Sequence, residues 1–246
     1  MINAIKNNEF FLVFQPQYEL MTRQIIGMEV LIRWKNTELG MVYPDEFIPL
    51  LETSDRIQET GLWVIQAAFK QYMQVHADLP PNFKLAINLS SNQLTNPQLD
   101  AHIHKLILEY QIDPNILEFE VTETSMMNTN EAASVLSRIR EWGSTISIDD
   151  FGTGYSSLSR LQDLPVDILK IDKSFVMSLD ERDESQLIIE NTLRLANKLH
   201  LNVIAEGIET EEQLLFLIKH ECKYGQGYLL NKPMSLDELI QQIKNK

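Results

Sequence analysis

Leu117-Glu118-Phe119-Glu120-Val121-Thr122 alternates strictly between apolar and polar side chains, a period of two that marks a β-strand with two unlike faces. Successive residues of a strand point to opposite sides of its sheet, so Leu117, Phe119 and Val121 share one side and Glu118, Glu120 and Thr122 the other. The same split recurs. In KLAINLS, Leu85, Ile87 and Leu89 oppose Ala86, Asn88 and Ser90; in TISID, Ile146 and Ile148 oppose Thr145, Ser147 and Asp149; in DILKID, Leu169 and Ile171 oppose Lys170 and Asp172. On any single strand, a polar face is ordinarily the solvated side of an antiparallel sheet. Here the runs are separated largely by amphipathic stretches, and acids recur at strand ends. A doubly wound sheet would be apolar on both faces. The pattern therefore predicts a TIM-type (β/α)8 barrel, with apolar sides turned out against a ring of helices and polar groups gathered inside near the strands' C-terminal ends.

Working outward, strand-like runs fall at Phe11 to Tyr18, Ile25 to Trp34, Phe83 to Leu89, Ile116 to Thr122, Thr145 to Asp150, Val166 to Asp172 and Leu201 to Glu206. Helical spacing joins Leu62, Ile65, Phe69, Tyr72 and Met73, then Ile188, Leu195 and Leu199, then Leu214, Leu217 and Ile218. No repeat, Pro-rich linker or low-complexity tract divides the 246 residues, so 1–246 reads as one α/β domain, and its 44% hydrophobic content suffices for a large core. No apolar run is long enough to span a bilayer, and MINAIKNNEF lacks the apolar core of a secretory signal. The single cysteine, Cys222, has no partner for an internal disulfide and reads as a packing residue. A net charge of −14 without clustered Lys and Arg argues against duplex nucleic acid as a partner, and an anionic ligand would need a cation's help.

That requirement focuses attention on TISIDDFGTGYSS, Thr145 to Ser157, where Asp149 and Asp150 close an apolar run and open a glycine turn. Adjacent carboxylates repel unless a cation lies between them. A DD pair alone is more often a turn or a helix cap than a metal site, and FGTGY matches neither GxGxxG nor GxxxxGK. The wider set is more telling. Strand parity turns Gln15, Glu29, Arg33, Asn88, Glu120, Asp149, Lys170, Asp172 and Glu206 inward, with Asp150 and Glu209 just beyond strand ends. Seven carboxylates stand there against Arg33 and Lys170. Oxygen donors suit hard ions such as Mg²⁺ or Mn²⁺, and no histidine falls on these strand ends to favour zinc. Lys170 among acids also has a purely structural reading as an ion pair. SLDERDESQ reads as a solvated loop and helix start, and His102, His104 and His200 as surface or packing residues.

The assembled motifs resemble the EAL phosphodiesterase family, which acts on the bacterial second messenger cyclic di-GMP. They are FQPQ from Phe14, EVLIRW from Glu29, NLSSNQ from Asn88, EVTE from Glu120, DDFGTGYSSL from Asp149, LKIDKSF from Leu169, AEGIET from Ala205 and YGQGYLLNKP from Tyr224. The resemblance implies a TIM-type barrel with one strand reversed, a feature that parity does not reveal. It implies two Mg²⁺ or Mn²⁺ ions per site: Glu29, Asn88, Glu120 and Asp149 around the first, and Asp149 bridging to a second held with Asp150 and Glu206. Glu29, Lys170 and Glu206 are then the catalytic set. In-line attack by a water between the ions would yield linear 5′-pGpG. By similarity Gln15, Leu31, Arg33, Asp172, Glu209 and Gln226 bind substrate, and Glu123 anchors the loop from Gly152 to Ser157. Ca²⁺ is expected to occupy the acids and inhibit, because its longer, looser coordination relaxes two-ion geometry.

One departure is visible: the triplet that names the family reads Glu29-Val30-Leu31, with Val in place of Ala. Parity points Val30 away from Glu29, so a packing effect is expected and not the loss of a ligand. Completeness of the site ranks an active phosphodiesterase ahead of a catalytically silent cyclic di-GMP receptor, and that ahead of a protein-interaction module. The resemblance also implies a homodimer and a sensor domain upstream in a longer parent. The domain itself is expected in the cytoplasm, whether or not the parent is membrane-tethered.

Overall fold

The computed structural model describes residues 4–54, 56–127, 130–152, 164–179 and 183–245. Its strands are β1 (Phe10–Glu19), β2 (Gln24–Asn36), β3 (Gly40–Val42), β4 (Lys84–Asn88), β5 (Leu117–Thr122), β6 (Thr145–Phe151), β7 (Ile168–Ile171), β8 (Asn202–Ala205) and β9 (Tyr224–Gly225). They pair in the order β1-β9-β8-β7-β6-β5-β4-β2-β3, and a further β1–β2 ladder closes eight of them into a barrel, leaving β3 as a flap on β2. Strand β1 is antiparallel to both neighbours, β2 and β9, while β2, β4, β5, β6, β7, β8 and β9 run parallel in sequence around the ring. The reversed strand is thus β1. Strands β3 and β9, of three and two residues, were not among the seven sequence runs, because segments so short contain no period to detect.

Helices α1 (Pro44–Thr53), α2 (Ile57–Val75), α3 (Ser91–Leu94), α4 (Leu99–Tyr110), α5 (Glu123–Met127), α6 (Asn130–Glu141), α7 (Lys173–Met177), α8 (Asp183–Lys198), α9 (Glu211–Lys219) and α10 (Leu236–Lys244) accompany the barrel. The outward-facing parity set packs beneath them: Leu85, Ile87, Leu117, Phe119, Ile146 and Leu169 are fully buried, together with Ile65, Phe69, Leu214 and Leu217 from the helices. On α8 the core side is taken by Ile189 and Ala196, and Ile188 faces outward. A smaller aromatic core joins Phe10, Trp34 and Phe47, with ring centroids 5.5 Å (Phe10–Phe47) and 6.0 Å (Phe10–Trp34) apart. Glu9 ties the chain ahead of β1 to it, accepting from Trp34 Nε1 at 2.8 Å and Asn36 Nδ2 at 3.0 Å. Cys222 is buried, its thiol pushed up to about 12 by burial, in keeping with a packing role. Among the described residues no helix is long and apolar enough to cross a membrane.

Candidate active site

Lys170 lies fully buried on β7, its ammonium at the centre of the barrel mouth. Its Nζ is 2.7 Å from Glu120 Oε2, 2.7 Å from Glu206 Oε1, 3.4 Å from Asp149 Oδ1 and 3.8 Å from Glu29 Oε2. Four strands or strand ends therefore deliver one carboxylate each to a single cation. Burial alone would depress the lysine, but the four acids hold its pKa well above the usual value. One ammonium does not neutralise four acids. Burial, with Glu29 adding repulsion, drives Glu120 well above the ordinary carboxylate range, and burial pushes Glu206 to about 8. Glu29 falls the other way: burial would raise it, but Lys170 and hydrogen bonds from Gln226 and Asn88 together outweigh that.

The amides are arranged around Glu29. Asn88 Nδ2, at the end of β4, donates to Glu29 Oε1 at 2.8 Å, and Gln226 Nε2, just past β9, donates to Glu29 Oε2 at 2.6 Å and to Glu206 Oε1 at 3.0 Å. Two loops hold Glu206 and Gln226 in place. Ile208 N donates to Gln226 O and Leu229 N to Ile208 O, at 3.2 and 3.0 Å, so the segments after β8 and β9 are laced together. A Cβ at Gly227 would stand 2.2 Å from both Ile208 N and Ile208 O, which leaves room only for glycine. Gln213 Oε1, on α9, accepts from Glu209 N at 2.8 Å and Thr210 N at 3.1 Å, anchoring the far end of the Glu206 loop.

The Asp149-Asp150 pair owes its presentation to a bulge. Ile148 pairs with Leu169 and Phe151 with Ile171, so β6 spends one residue more than β7 over the same span, and Asp150 takes a left-handed φ of 55°. Strict alternation would send Asp150 to the helix side. The bulge brings both acids to the mouth and returns Phe151 to the core, where it is buried. Burial, with Asp149 and Asp172 close by, raises Asp150 to about 6. Glu123, at the start of α5, accepts from Gly152 N at 3.3 Å, which fits an anchoring role; Thr153 to Ser157 of the same loop lie outside the described residues.

Of the other expected positions, Gln15 stands opposite Glu29 in the β1–β2 ladder and reaches Asn231 O at 3.5 Å. Asp172 caps α7, accepting from Ser174 N at 3.0 Å and from the Ser174 hydroxyl. Arg33 is half-buried, which lowers its pKa, and donates to Ile32 O at 2.9 Å; among the described residues it makes no ion pair. Glu209 is exposed at the rim. Leu31 and Asn88 also wall a cavity of about 440 Å³ beside the carboxylates, which Pro44, Ile48 and Glu52 of α1 close on its far side. Sequence reasoning passed over Glu118 and Ser147, buried below Lys170 on the inward parity of β5 and β6. Their place on the polar parity of LEFEVT and TISID was the signal.

The donor set suits a hard divalent cation. All the groups offered are carboxylate or amide; Glu120 Oε1 is a buried atom with no hydrogen-bond partner, and Asp149 Oδ1, also buried, has only the Lys170 ammonium at 3.4 Å. Among the described residues no three acids converge by themselves into a ready-made ion site, since here they close on the Lys170 ammonium instead.

The EAL domain family model matches residues 2–233. The chain belongs to the EAL domain family. This EAL domain is 35% identical over 242 residues to the cyclic di-GMP phosphodiesterase NbdA of Pseudomonas aeruginosa, covering 98% of the chain and 31% of that relative. Among solved structures it matches the PaMucR phosphodiesterase in complex with c-di-GMP, at a TM-score of 0.93 and 34% identity over 97% of each chain. It also matches a calcium and cyclic di-GMP complex of Klebsiella pneumoniae BlrP1, at a TM-score of 0.82 and 27% identity, covering 94% of this chain and 57% of that one. The EAL domain spans about a third of the length of the curated relatives it matches, 29%, 31% and 34% of three of them.

Proposed function

We propose that this EAL domain is a metal-dependent phosphodiesterase that opens cyclic di-GMP to linear 5′-pGpG. The observation that carries the reading is the set of four carboxylates, Glu29, Glu120, Asp149 and Glu206, closed on Lys170, with Asn88 and Gln226 hydrogen-bonded to it. Relatives named as cyclic di-GMP phosphodiesterases and a neighbour solved with c-di-GMP support the substrate. Glu29, Asn88, Glu120 and Asp149 would hold one Mg²⁺ or Mn²⁺, and Asp149, Asp150 and Glu206 a second. Bound there, such ions acidify a water and offset charge on the phosphoryl oxygens.

The chain's own groups then have distinct tasks. Lys170, helped by Gln226 and Asn88, keeps Glu29 ionised, and the two amides aim it, which a ligand needs. Lys170, held charged by its acids, stands ready to orient the attacking water and to balance charge as the bond to phosphorus forms. Arg33, free of ion pairs among the described residues, offers two parallel donors to a phosphate at the rim. In the net reaction one water adds to phosphorus, the bond to the 3′ oxygen breaks, and that oxygen leaves as a hydroxyl. Residues 1–246 read as a single EAL domain of a longer signalling protein acting in the cytoplasm, paired with a second copy.

Release of pGpG, followed by chromatography with Mg²⁺ or Mn²⁺, tests the proposal on the parent and on Glu29→Ala. Turnover by the parent that Glu29→Ala abolishes is expected, with Ca²⁺ inhibiting. Binding without turnover would replace the enzyme with a receptor, and absence of both would leave only an interaction module.

A further inference from the structure

Strands β1 and β2 climb from the carboxylates to the mouth in register, with Gln15 opposite Glu29, Val13 opposite Leu31 and Phe11 opposite Arg33. On the other edge of β2, Trp34 pairs with Val42, and the next step along that ladder brings Tyr43, still extended at φ −87° and ψ 155°, beside Arg33. Directly opposed residues of an antiparallel pair share a face, with Cβ atoms ~4.5–5.5 Å apart. By register, Arg33 therefore has an aromatic residue at the adjacent position on either side, on the same parity as Glu29. Both rings are open to solvent, Phe11 at 38% and Tyr43 at 59% exposure, and neither joins the aromatic core of Phe10, Trp34 and Phe47 immediately behind them. Tyr43 leads directly into Pro44 and Asp45, and Arg33 follows Leu31 and Ile32, all of which line the 440 Å³ cavity, so the row Phe11-Arg33-Tyr43 adjoins it as a lip without lining its walls.

An exposed ring outside the aromatic core, placed beside a guanidinium that makes no ion pair among the described residues and next to an apolar cavity, has the features of a surface for a flat, partly charged ligand. We propose that Phe11 and Tyr43 are stacking platforms that grip one purine base of the cyclic dinucleotide at this lip, while Arg33 between them meets a phosphate. The inference rests on the phosphodiesterase reading and assigns to it two residues that supply affinity and leave the chemistry untouched. Stacking on an aromatic ring is worth ~1–3 kcal/mol per base and needs the ring alone. Removal of either ring is accordingly expected to raise KM about five-fold or more with kcat unchanged.

The test is steady-state hydrolysis of cyclic di-GMP with Mn²⁺, together with calorimetric binding in Ca²⁺, for the parent, Phe11→Ala, Phe11→Trp, Tyr43→Ala and Tyr43→Phe. The alanine variants should lose affinity in both measurements, and Phe11→Trp and Tyr43→Phe should stay near the parent. An active parent whose two alanine variants keep its KM and affinity overturns the lip and leaves the proposed function standing; so does a Tyr43→Phe variant as impaired as Tyr43→Ala. A parent that neither binds nor hydrolyses the dinucleotide overturns both.

Discussion

Lys170 is the only cation in contact with Glu29, Glu120, Asp149 and Glu206 among the described residues, so its removal leaves four acids facing one another. In chelator-treated protein, Lys170→Met is expected to lose about 3–5 kcal/mol of stability by urea denaturation, and Mn²⁺ to return part of that loss. Glu206 makes a second prediction, about pH. Its folded value near 8 lies above the 4.5 of a free carboxyl, so the native state binds the extra proton between those limits and the metal-free protein loses stability as pH rises through that window. A cation must displace the same proton, so the apparent Mn²⁺ affinity, read by titration calorimetry, should tighten toward pH 8 and then level off. Val30 is 2% exposed and faces the core, and Val30→Ala should cost about 1–2 kcal/mol with kcat unchanged, measured by melting and assay. At this scale most of the site was legible, because Glu29, Asn88, Glu120, Asp149 and Lys170 follow from counting alternate residues. Gln226 was legible only through the family motif, since the strand before it has two residues, and its bonds to both Glu29 and Glu206 have no trace in local spacing.

Elements explain what counting missed. Asp150 lies within β6 and not just beyond the strand end as expected from the sequence, and a bulge that breaks the one-for-one step of parity lets it join Asp149 at the mouth. The reversal of β1 is equally silent, because alternation reads the same in either direction. Barrel closure was nevertheless predictable, since polar inner faces on several helix-separated strands have few other homes. The laced loops after β8 and β9 give a prediction at this level. Gly227→Ala drives a methyl group into the Ile208 backbone and should shift Gln226 off Glu29 and Glu206. A loss of about 1–3 kcal/mol in stability, with a fall in kcat exceeding that of a surface alanine, is the expected result of paired denaturation and turnover measurements.

Across the whole molecule, the net charge of −14 and the acids gathered at one end of the barrel make cation binding a stabilising event. Mn²⁺ in excess should raise the melting temperature, and chelation should lower it and abolish turnover together. The direction of β1 has a mechanical consequence. In a wholly parallel barrel the chain feeds its first strand from the floor, on the side away from the ligand. Here β1 descends from the rim, where Phe11 stands opposite Arg33, and Glu9 just ahead of it holds the next steps of β2, accepting from Trp34 Nε1 and Lys35 N. That short segment is a handle bolted beside the mouth of the barrel, and a pull on it is expected to be felt first at the strand that carries Arg33 and Glu29.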